Sequence, residues 1–406
     1  MSTTPSPTVG ETETAERWSP VAAGALALLA VFGVHYSFGS FFPAITDEYN
    51  TGRGTTAVIF SATTLLYFMV GIVTGRLVDR IGARPLLLTA AITIAGGLVA
   101  ATNVNSFPVL VAVYSIGVGT AIACTYVPML AIVGASLDRH RTIGLGIAVA
   151  GIGIGTLLAG PTADALIERS DWRSAYRILA IAAAVLLITA AAIAGPTPTT
   201  RTRTTTNGRP TLRTSRPYRA LYSANLAVSA VIFVPFVFLG DYLDTTNTDI
   251  GAGLLIGLIG LSSVVGRIAL GALRYSPLVL YRACFAGITL SFGLWILHDT
   301  HPATLIVFAV ALGVAYGGFI ALAPAVAAHF FGTEQLGATL GYLYTSAGIG
   351  GFAGPIGFGA LADTTTFTSA LVATVAVGTI ATALLWTTHP EPAAASTTPS
   401  DFFRSK

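Results

Sequence analysis

Twelve apolar runs divide the sequence, and this pattern constrains the fold more strongly than any other feature. A transmembrane helix needs about 20 consecutive, mostly apolar residues to cross the hydrocarbon core of a bilayer. The hydrophobic share of 53% and the mean hydropathy of +0.75 are too high for a soluble protein of 406 residues. We therefore predict an all-α integral membrane protein with twelve transmembrane helices. They lie at residues 20–45, 55–78, 85–102, 107–136, 142–166 and 174–194, and then at 218–240, 250–273, 278–297, 303–330, 336–361 and 367–386.

Basic residues are distributed unevenly among the segments that connect the apolar runs. If the N-terminus is cytoplasmic, sixteen of the 21 lysine and arginine residues lie in cytoplasmic segments and four lie in outer segments. Lys and Arg near the ends of transmembrane helices favour the cytoplasmic side. We therefore predict a multi-pass plasma-membrane protein with both termini in the cytoplasm. The net charge of +3 follows from this topology and gives no reason to expect a nucleic acid partner.

The chain consists of two similar halves. A polar, basic segment at 195–217 predicts a flexible cytoplasmic linker between six-helix bundles at 20–194 and 218–387, with cytoplasmic tails at 1–19 and 388–406. Glycine, proline and aspartate residues recur across the linker at a separation of 194–196 residues. The pairs are Asp47 with Asp241, Gly75 with Gly271, Gly117 with Gly313, Pro128 with Pro324, Gly146 with Gly341, and Pro161 with Pro355. Two related bundles that meet along one axis enclose a cavity at mid-membrane, so the repeat predicts a pseudo-symmetric carrier.

A charged ten-residue segment separates the second apolar run from the third. It reads GRLVDRIGAR and fits the pattern G-x-L-x-D-R-x-G-x-R. This pattern resembles the loop between the second and third helices of major facilitator superfamily transporters, and it implies their fold. In that family the motif is a cytoplasmic gate, whose aspartate faces a helix N-terminus of the other bundle. Charges that only fix the topology are the alternative. The gate residues are Gly75, Asp79, Arg80, Gly82 and Arg84.

One arginine lies inside an apolar run. Arg267 is about six residues from the predicted cytoplasmic end of its helix, or ~9 Å at 1.5 Å per residue. A charge in the hydrocarbon region costs about 2.5 kcal/mol or more unless it faces a cavity or a partner. Either the side chain extends to the cytoplasmic interface, or its guanidinium binds an anionic substrate, ideally as the bidentate partner of a carboxylate.

Three passages carry a narrower resemblance. They are VGRIALG at 265–271, the glycine-containing region 139–176 with its adjacent Trp172 and Arg173, and YSFGSFF at 36–42. They resemble the monocarboxylate porters and the related oxalate/formate carriers, in which the first helix is aromatic and broken at a glycine. In that group the arginine that corresponds to Arg267 holds the substrate carboxylate. The proton-coupling acid of the animal porters is Ser263 here. No lysine precedes Lys406, so the second-carboxylate clamp of the oxalate carriers is absent. The resemblance thus implies a monoanion as the substrate.

Further polar side chains inside the runs are candidates for substrate binding. His35 lies about fourteen residues, or ~21 Å, into the first run. Histidine titrates near neutral pH and so suits proton coupling, although a neutral histidine bonded to a neighbouring helix is an equal alternative. Four tyrosines either donate hydrogen bonds to a carboxylate or simply pack. They are Tyr36, Tyr126, Tyr316 and Tyr342.

These features predict a secondary transporter that moves a small organic monoanion by alternating access, driven by a proton or by anion exchange. No cofactor and no metal is expected, because the sequence has no Walker-type GxxxxGK[ST] motif and Cys124 and Cys284 lie in separate runs. The expected partners of the monomer are the anion, a proton or counter-anion, and the lipid bilayer. A proton-driven drug or metabolite exporter and a transporter-like sensor are the alternatives. An enzyme is not expected, because the runs contain no cluster of His, Asp or Glu.

Overall fold

The computed structural model describes residues 16–137, 139–195, 216–246, 248, 250–297, 303–332 and 336–388. Most of the predicted linker and of both predicted tails lies outside these residues. The described part of the chain folds into fourteen α-helices and contains no strand. They are α1 (Ser19–Tyr36), α2 (Phe38–Tyr49), α3 (Arg53–Ile81), α4 (Ala83–Ala101), α5 (Phe107–Ser136), α6 (Arg141–Arg169), α7 (Trp172–Ala194), α8 (Arg216–Ile232), α9 (Val234–Thr246), α10 (Ala252–Ala272), α11 (Pro277–Ile296), α12 (Ala303–Phe331), α13 (Leu336–Thr364) and α14 (Phe367–Trp386).

Four of these helices combine into two transmembrane segments. α1 and α2 form one segment, Ser19–Tyr49, and α8 and α9 form another, Arg216–Thr246. Eleven segments of the described chain are long and apolar enough to span a bilayer. The twelfth is α13, whose 29 residues are long enough to cross a bilayer. The prediction of twelve transmembrane helices in two bundles is therefore confirmed.

Both double segments break for local reasons. Between α1 and α2, the hydroxyl of Ser37 donates a 3.0 Å hydrogen bond to the carbonyl of Val34 and competes with helical bonding. Between α8 and α9, Phe233 stands two residues before Pro235, whose ring removes a backbone donor from the helix. The two broken segments then pack on each other through α2 and α9.

The two ends of the molecule carry different charged groups. The motif end carries the charged segment 75–84, and the far end carries Arg53 and Asp241. Arg53 Nε of α3 donates to Asp241 Oδ2 of α9 at 2.5 Å, so this ion pair joins the bundles at the far end. The first bundle consists of α1 to α7 and the second of α8 to α14. They meet along two equivalent seams, α6 against α10 and α3 against α13.

Alternate glycines on α6 allow close contact with both bundles. A Cβ added to Gly151 or Gly155 would lie 2.2 or 2.3 Å from carbonyl oxygens of α1, in the same bundle. A Cβ added to Gly153 would lie 2.5 Å from the carbonyl oxygen of Gly260 in α10, in the other bundle. Residues two apart on a helix point in nearly opposite directions. Glycines at this spacing therefore let one helix approach two neighbours closely.

The first described residues attach the chain to the motif end. The Glu16 carboxylate accepts hydrogen bonds from the backbone N–H groups of Arg139, at 2.9 Å, and His140, at 3.1 Å. It also pairs with His140 Nδ1 at 2.7 Å. The hydrogen bond from the His140 ring is the main reason why the pKa of Glu16 lies below its ordinary value. This contact holds the start of α1 against the connection between α5 and α6.

Candidate functional site

A cavity lies between the two bundles and extends from the middle of the helices toward the motif end. Its empty volume, including its opening to solvent, is about 820 Å³. Most of its lining residues are aromatic or aliphatic. The lining tyrosines are Tyr36, Tyr67 and Tyr126 of the first bundle and Tyr281, Tyr316 and Tyr344 of the second. No group of three or more His, Cys, Asp or Glu side chains in the described ranges is arranged to hold a metal ion.

Arg267 of α10 lies beside this cavity, and none of the ion pairs formed by described residues includes it. Its Nη1 donates to the carbonyl of Val149 in α6 at 2.7 Å. Its Nε and Nη2 are buried and have no hydrogen-bond partner among the described residues. The hydroxyls of Tyr36, Tyr126 and Tyr316 are near enough to interact electrostatically with the guanidinium. Because these nitrogens are buried, the side chain does not extend to the motif end, and two of its donors remain for an anion.

Two glycines hold the helix that carries Arg267 against α12. A Cβ added to Gly266 would lie 2.2 Å from a carbonyl oxygen of α12, and one added to Gly317 would lie 2.0 Å from a carbonyl oxygen of α10. The backbones of the two helices are therefore in direct contact. Arg267 and Tyr316 are each adjacent in sequence to one of these glycines, so the contact fixes the position of the guanidinium relative to the hydroxyl.

Tyrosine hydroxyls connect the two bundles. Tyr36 and Tyr316 share a hydrogen bond of 2.8 Å between their hydroxyls. The ring of Tyr36 also stacks on Phe236 of α9, with 4.2 Å between the ring centroids. The hydroxyls of Tyr126 and Tyr344 are near enough to interact as well. Each pair contains one residue from each bundle, so a ligand bonded to these hydroxyls would contact both.

Three predicted site residues are not among those that line the cavity: Arg267, which lies beside it, and His35 and Tyr342. His35 is fully buried, with a 3.2 Å hydrogen bond between its Nε2 and Thr64 Oγ1 and with its ring stacked on Phe60. Its Nδ1 has no partner in the part of the chain that the structure describes. Tyr342 is also absent from the lining, whereas Tyr344 is present. The reason is geometric, because residues two apart on a helix point in nearly opposite directions.

Sequence reasoning missed several polar residues of the cavity. They are Tyr67, Asn225, Ser229, Tyr281 and Tyr344. Asn225 donates to Ser346 Oγ at 2.8 Å and accepts from the Tyr281 hydroxyl at 3.3 Å, which fixes the orientation of its amide. On α13 the lining residues follow the i, i+3, i+4, i+7 spacing of one helix face, starting at Leu340. That spacing is present in the sequence, but it does not reveal which face is turned inward.

The charged segment at the motif end joins α3 to α4. Gly82 lies between these helices with φ of +78°, a conformation that favours glycine. A Cβ added to Gly75 would lie 2.6 Å from a side chain of α5, so this glycine lets α3 pack on α5. Asp79, Arg80 and Arg84 are exposed, and no ion pair within the described ranges includes them. The predicted clamp is thus not formed here, and it stays a prediction for a conformation in which the motif end is closed.

Sequence comparison identifies proteins that are similar over most of this chain. The family model described as Major Facilitator Superfamily matches residues 24–302 and 220–405. The chain is 26% identical over 362 residues to monocarboxylate transporter 13 of Rattus norvegicus, which covers 86% of this chain and 83% of that protein. It is 27% identical over 339 residues to MFS-type transporter 1 of Ophiocordyceps sp. (strain BCC 1869), which covers 80% of this chain and 74% of that protein.

A solved structure shares the fold. The crystal structure of a mutant of the nucleoside transporter NupG superimposes with a TM-score of 0.76 over 91% of this chain and 99% of that one, at 12% sequence identity. At that identity the similarity shows the fold alone. The family match, by contrast, extends through both bundles. The chain therefore belongs to the Major Facilitator Superfamily, a family of membrane transporters rather than enzymes, and resembles its monocarboxylate porter group.

Proposed function

We propose that this protein is a secondary transporter of a small organic monoanion, a monocarboxylate, and that Arg267 binds its carboxylate. The observation that carries the proposal is the buried guanidinium, whose Nε and Nη2 lack partners among the described residues. A buried donor without an acceptor costs about 1–3 kcal/mol. These two nitrogens form one edge of the guanidinium, so a carboxylate would satisfy both in a side-on bidentate pair. Relatives that are named monocarboxylate transporters support this substrate class.

The surroundings of Arg267 favour a ligand with one negative charge and a small apolar body. No lysine or arginine is among the described residues that line the cavity, so a second carboxylate would lie in an aromatic environment without a cationic partner. The hydroxyls of Tyr36, Tyr126 and Tyr316 can donate to the remaining lone pairs of the first carboxylate. The aliphatic and aromatic lining then contacts the carbon skeleton.

The arrangement of the bundles supports transport by alternating access. The ion pair between Arg53 and Asp241 closes the far end, while the cavity extends toward the motif end. In carriers built from two related bundles, rocking of one bundle against the other exposes the site to each side in turn. We assign this conformation to the cytoplasm-facing state of a plasma-membrane monomer whose termini are both cytoplasmic. The moving units are residues 20–194 and 218–387, joined by the linker at 195–217.

Uptake by purified protein in proteoliposomes tests the substrate class. Radiolabelled acetate, lactate and pyruvate should enter faster than in protein-free liposomes, because each presents a single carboxylate to Arg267. Unlabelled monocarboxylates should compete, whereas oxalate and succinate should not, since the second charge has no partner. Saturable transport restricted to uncharged or cationic compounds would contradict the proposal and support the drug or metabolite exporter instead.

His35 is the candidate for proton coupling. It is buried next to Tyr36 in sequence, and its Nδ1 lacks a partner in the described part of the chain. An inward proton gradient should accelerate uptake by the wild type, and His35→Gln should remove this acceleration while leaving anion exchange intact. His329→Gln is the matched control, because His329 is exposed near the motif end. If His35→Gln keeps the wild-type response to the gradient, His35 has no coupling role and the driving force is anion exchange.

A further inference from the structure

We propose that the far end is held shut by two matched caps, in which an aspartate of each bundle binds the first turn of a helix in the other bundle. The proposal rests on transport by alternating access, because it assigns to these caps the control of opening at the far end. Neither cap involves the residues that contact the substrate in the proposed function.

The first cap extends from α6 of the first bundle to α10 of the second. Asp164, near the end of α6, accepts a 2.7 Å hydrogen bond at Oδ2 from the backbone N–H of Gly253. A Cβ added to Gly253 would lie 2.2 Å from the backbone of Gly160, and one added to Gly251 would lie 3.1 Å from Asp164 Oδ2. Glycines on both helices therefore allow the carboxylate to reach the helix start.

The second cap extends from α13 of the second bundle to α3 of the first. Asp363, near the end of α13, accepts hydrogen bonds from the backbone N–H groups of Arg53, at 3.0 Å, and Gly54, at 3.1 Å. A Cβ added to Gly359 would lie 2.6 Å from the backbone nitrogen of Gly54, and one added to Gly52 would lie 2.7 Å from Asp363 Oδ2. The hydrogen bond of Gly54 corresponds to that of Gly253 in the first cap, with the two bundles exchanged, and the N–H of Arg53 adds a second one.

The sequence encodes both caps with the same two motifs. Each capped helix begins at a G-x-G segment, and each capping helix has a G-x-x-x-D segment near its end. All four pairs of equivalent residues are 199 positions apart. They are Gly52 with Gly251, Gly54 with Gly253, Gly160 with Gly359, and Asp164 with Asp363. These four pairs share their spacing and their positions at the contact, which indicates that the same capping arrangement occurs twice, related by the pseudo-symmetry of the bundles.

The capped helices have no N-cap side chain of their own. The N-cap residues of α3 and α10 are Gly52 and Gly251, and neither helix start has a side-chain cap from its own N-cap residue. The first N–H groups of a helix lack partners within it and attract a negative charge. Here the acceptors come from the opposite bundle, so opening of the far end removes both caps at once. The closed far end is therefore favoured by an interaction that the open far end lacks.

The test measures the separation of the bundles in the full-length protein without any substrate, so it is independent of the substrate assignment. In a background with Cys124→Ala and Cys284→Ala, spin labels are attached at Ser170→Cys and Thr365→Cys, two exposed far-end positions in different bundles. Pulsed electron resonance then gives the distribution of distances between the labels. Combining Asp164→Ala with Asp363→Ala should increase the long-distance population by about fivefold for each cap, as expected for the loss of a helix N-cap.

Controls separate the loss of a cap from the loss of charge or of fold. Asp244→Ala removes another exposed far-end carboxylate and should leave the distances unchanged. Labels at Thr142→Cys and Tyr275→Cys, at the motif end, should move closer together as the far end opens. If the double alanine variant does not fold, the single variants Asp164→Ala and Asp363→Ala each remove one cap, and each should increase the long-distance population by about fivefold. Wild-type far-end distances in the folded alanine variants, or an equal shift in Asp244→Ala, would overturn the proposal.

Discussion

Replacing Arg267 with lysine should raise the KM for carboxylate uptake by about tenfold to a hundredfold. A hydrogen bond to a charged group contributes about 1.5–3 kcal/mol, and 1.4 kcal/mol corresponds to a tenfold change in affinity. Lysine keeps the positive charge but not the planar fork that binds a carboxylate through two parallel N–H groups. Arg267→Ala should abolish anion transport altogether. The protein should remain folded in both cases, because the guanidinium has two unsatisfied buried nitrogens and no partner carboxylate in the described part.

The matched control for Arg267→Lys is Arg282→Lys. Arg282 of α11 also lies in a transmembrane helix, but its guanidinium donates to backbone carbonyls at the end of α14, among them that of Thr388 at 2.7 Å. Its replacement should leave the KM for carboxylates unchanged. Kinetic measurements in proteoliposomes with matched amounts of inserted protein distinguish the two variants. Wild-type uptake by Arg267→Ala would remove Arg267 from the substrate site.

Gly317→Leu should prevent correct assembly of the second bundle. The added Cβ would lie 2.0 Å from a carbonyl oxygen of α10, and this backbone has no alternative rotamer. Overpacking of a tight interface costs about 1–3 kcal/mol even where side chains can adjust, and here the two helices must separate. We therefore expect a lower melting temperature in detergent and no uptake, since the same contact positions Tyr316 beside Arg267.

Gly271→Leu is the corresponding control. Gly271 lies on α10, one turn beyond Arg267, and a Cβ added there would meet nothing within 4 Å. This variant should melt and transport like the wild type. Thermal unfolding followed by fluorescence-detected size-exclusion chromatography compares the two substitutions directly. A wild-type melting temperature in Gly317→Leu would show that α10 and α12 are farther apart than this structure places them.

The bounds of the helices could be predicted from hydropathy, but their breaks could not. The predicted runs at 107–136 and 367–386 coincide with α5 and α14. The resemblance of the segment at 36–42 to a glycine-broken helix indicated the break at Ser37, but nothing indicated the break at Phe233, because the apolar run continues through a broken helix without a change of composition. A break depends on single hydrogen bonds, such as that of the Ser37 hydroxyl, and these do not alter the average over 20 residues.

The internal repeat was predicted, but its register was wrong in the fifth helix of each bundle. Matching of residue types paired Pro161 with Pro355, at a separation of 194 residues. Contacts instead make Gly155 equivalent to Gly354, 199 residues apart, since a Cβ on either would lie 2.3 or 2.1 Å from a carbonyl oxygen of its bundle's first helix. Glycine and proline are so frequent in this chain that chance identities are common. Only the contacts distinguish a true equivalence from a coincidence.

Residues of the site could be predicted from the sequence most easily where burial of the side chain costs the most free energy. Arg267 was evident because a charge inside an apolar run requires an explanation. Tyrosines gave a weaker signal, because the same side chain packs in a core as readily as it lines a cavity. Successive residues of an α-helix are rotated by about 100° about its axis, and this rotation decides whether a side chain faces the cavity. Tyr36 therefore lines the cavity while the adjacent His35 packs against Phe60 and Thr64.

The alternate glycines of α6 lie on opposite faces of the helix, so substitutions there can affect the turnover rate and the melting temperature separately. Gly151 and Gly155 meet α1 inside one bundle, whereas Gly153 meets α10 of the other bundle, across a surface that moves in the proposed transport cycle. A Cβ added to Gly153 would meet both a side chain of α10, that of Val264 at 2.4 Å, and the backbone of Gly260. We therefore expect a larger residue at position 153 to change mainly the turnover rate, and one at position 151 or 155 to change mainly the melting temperature, so that the two faces of one helix affect different properties.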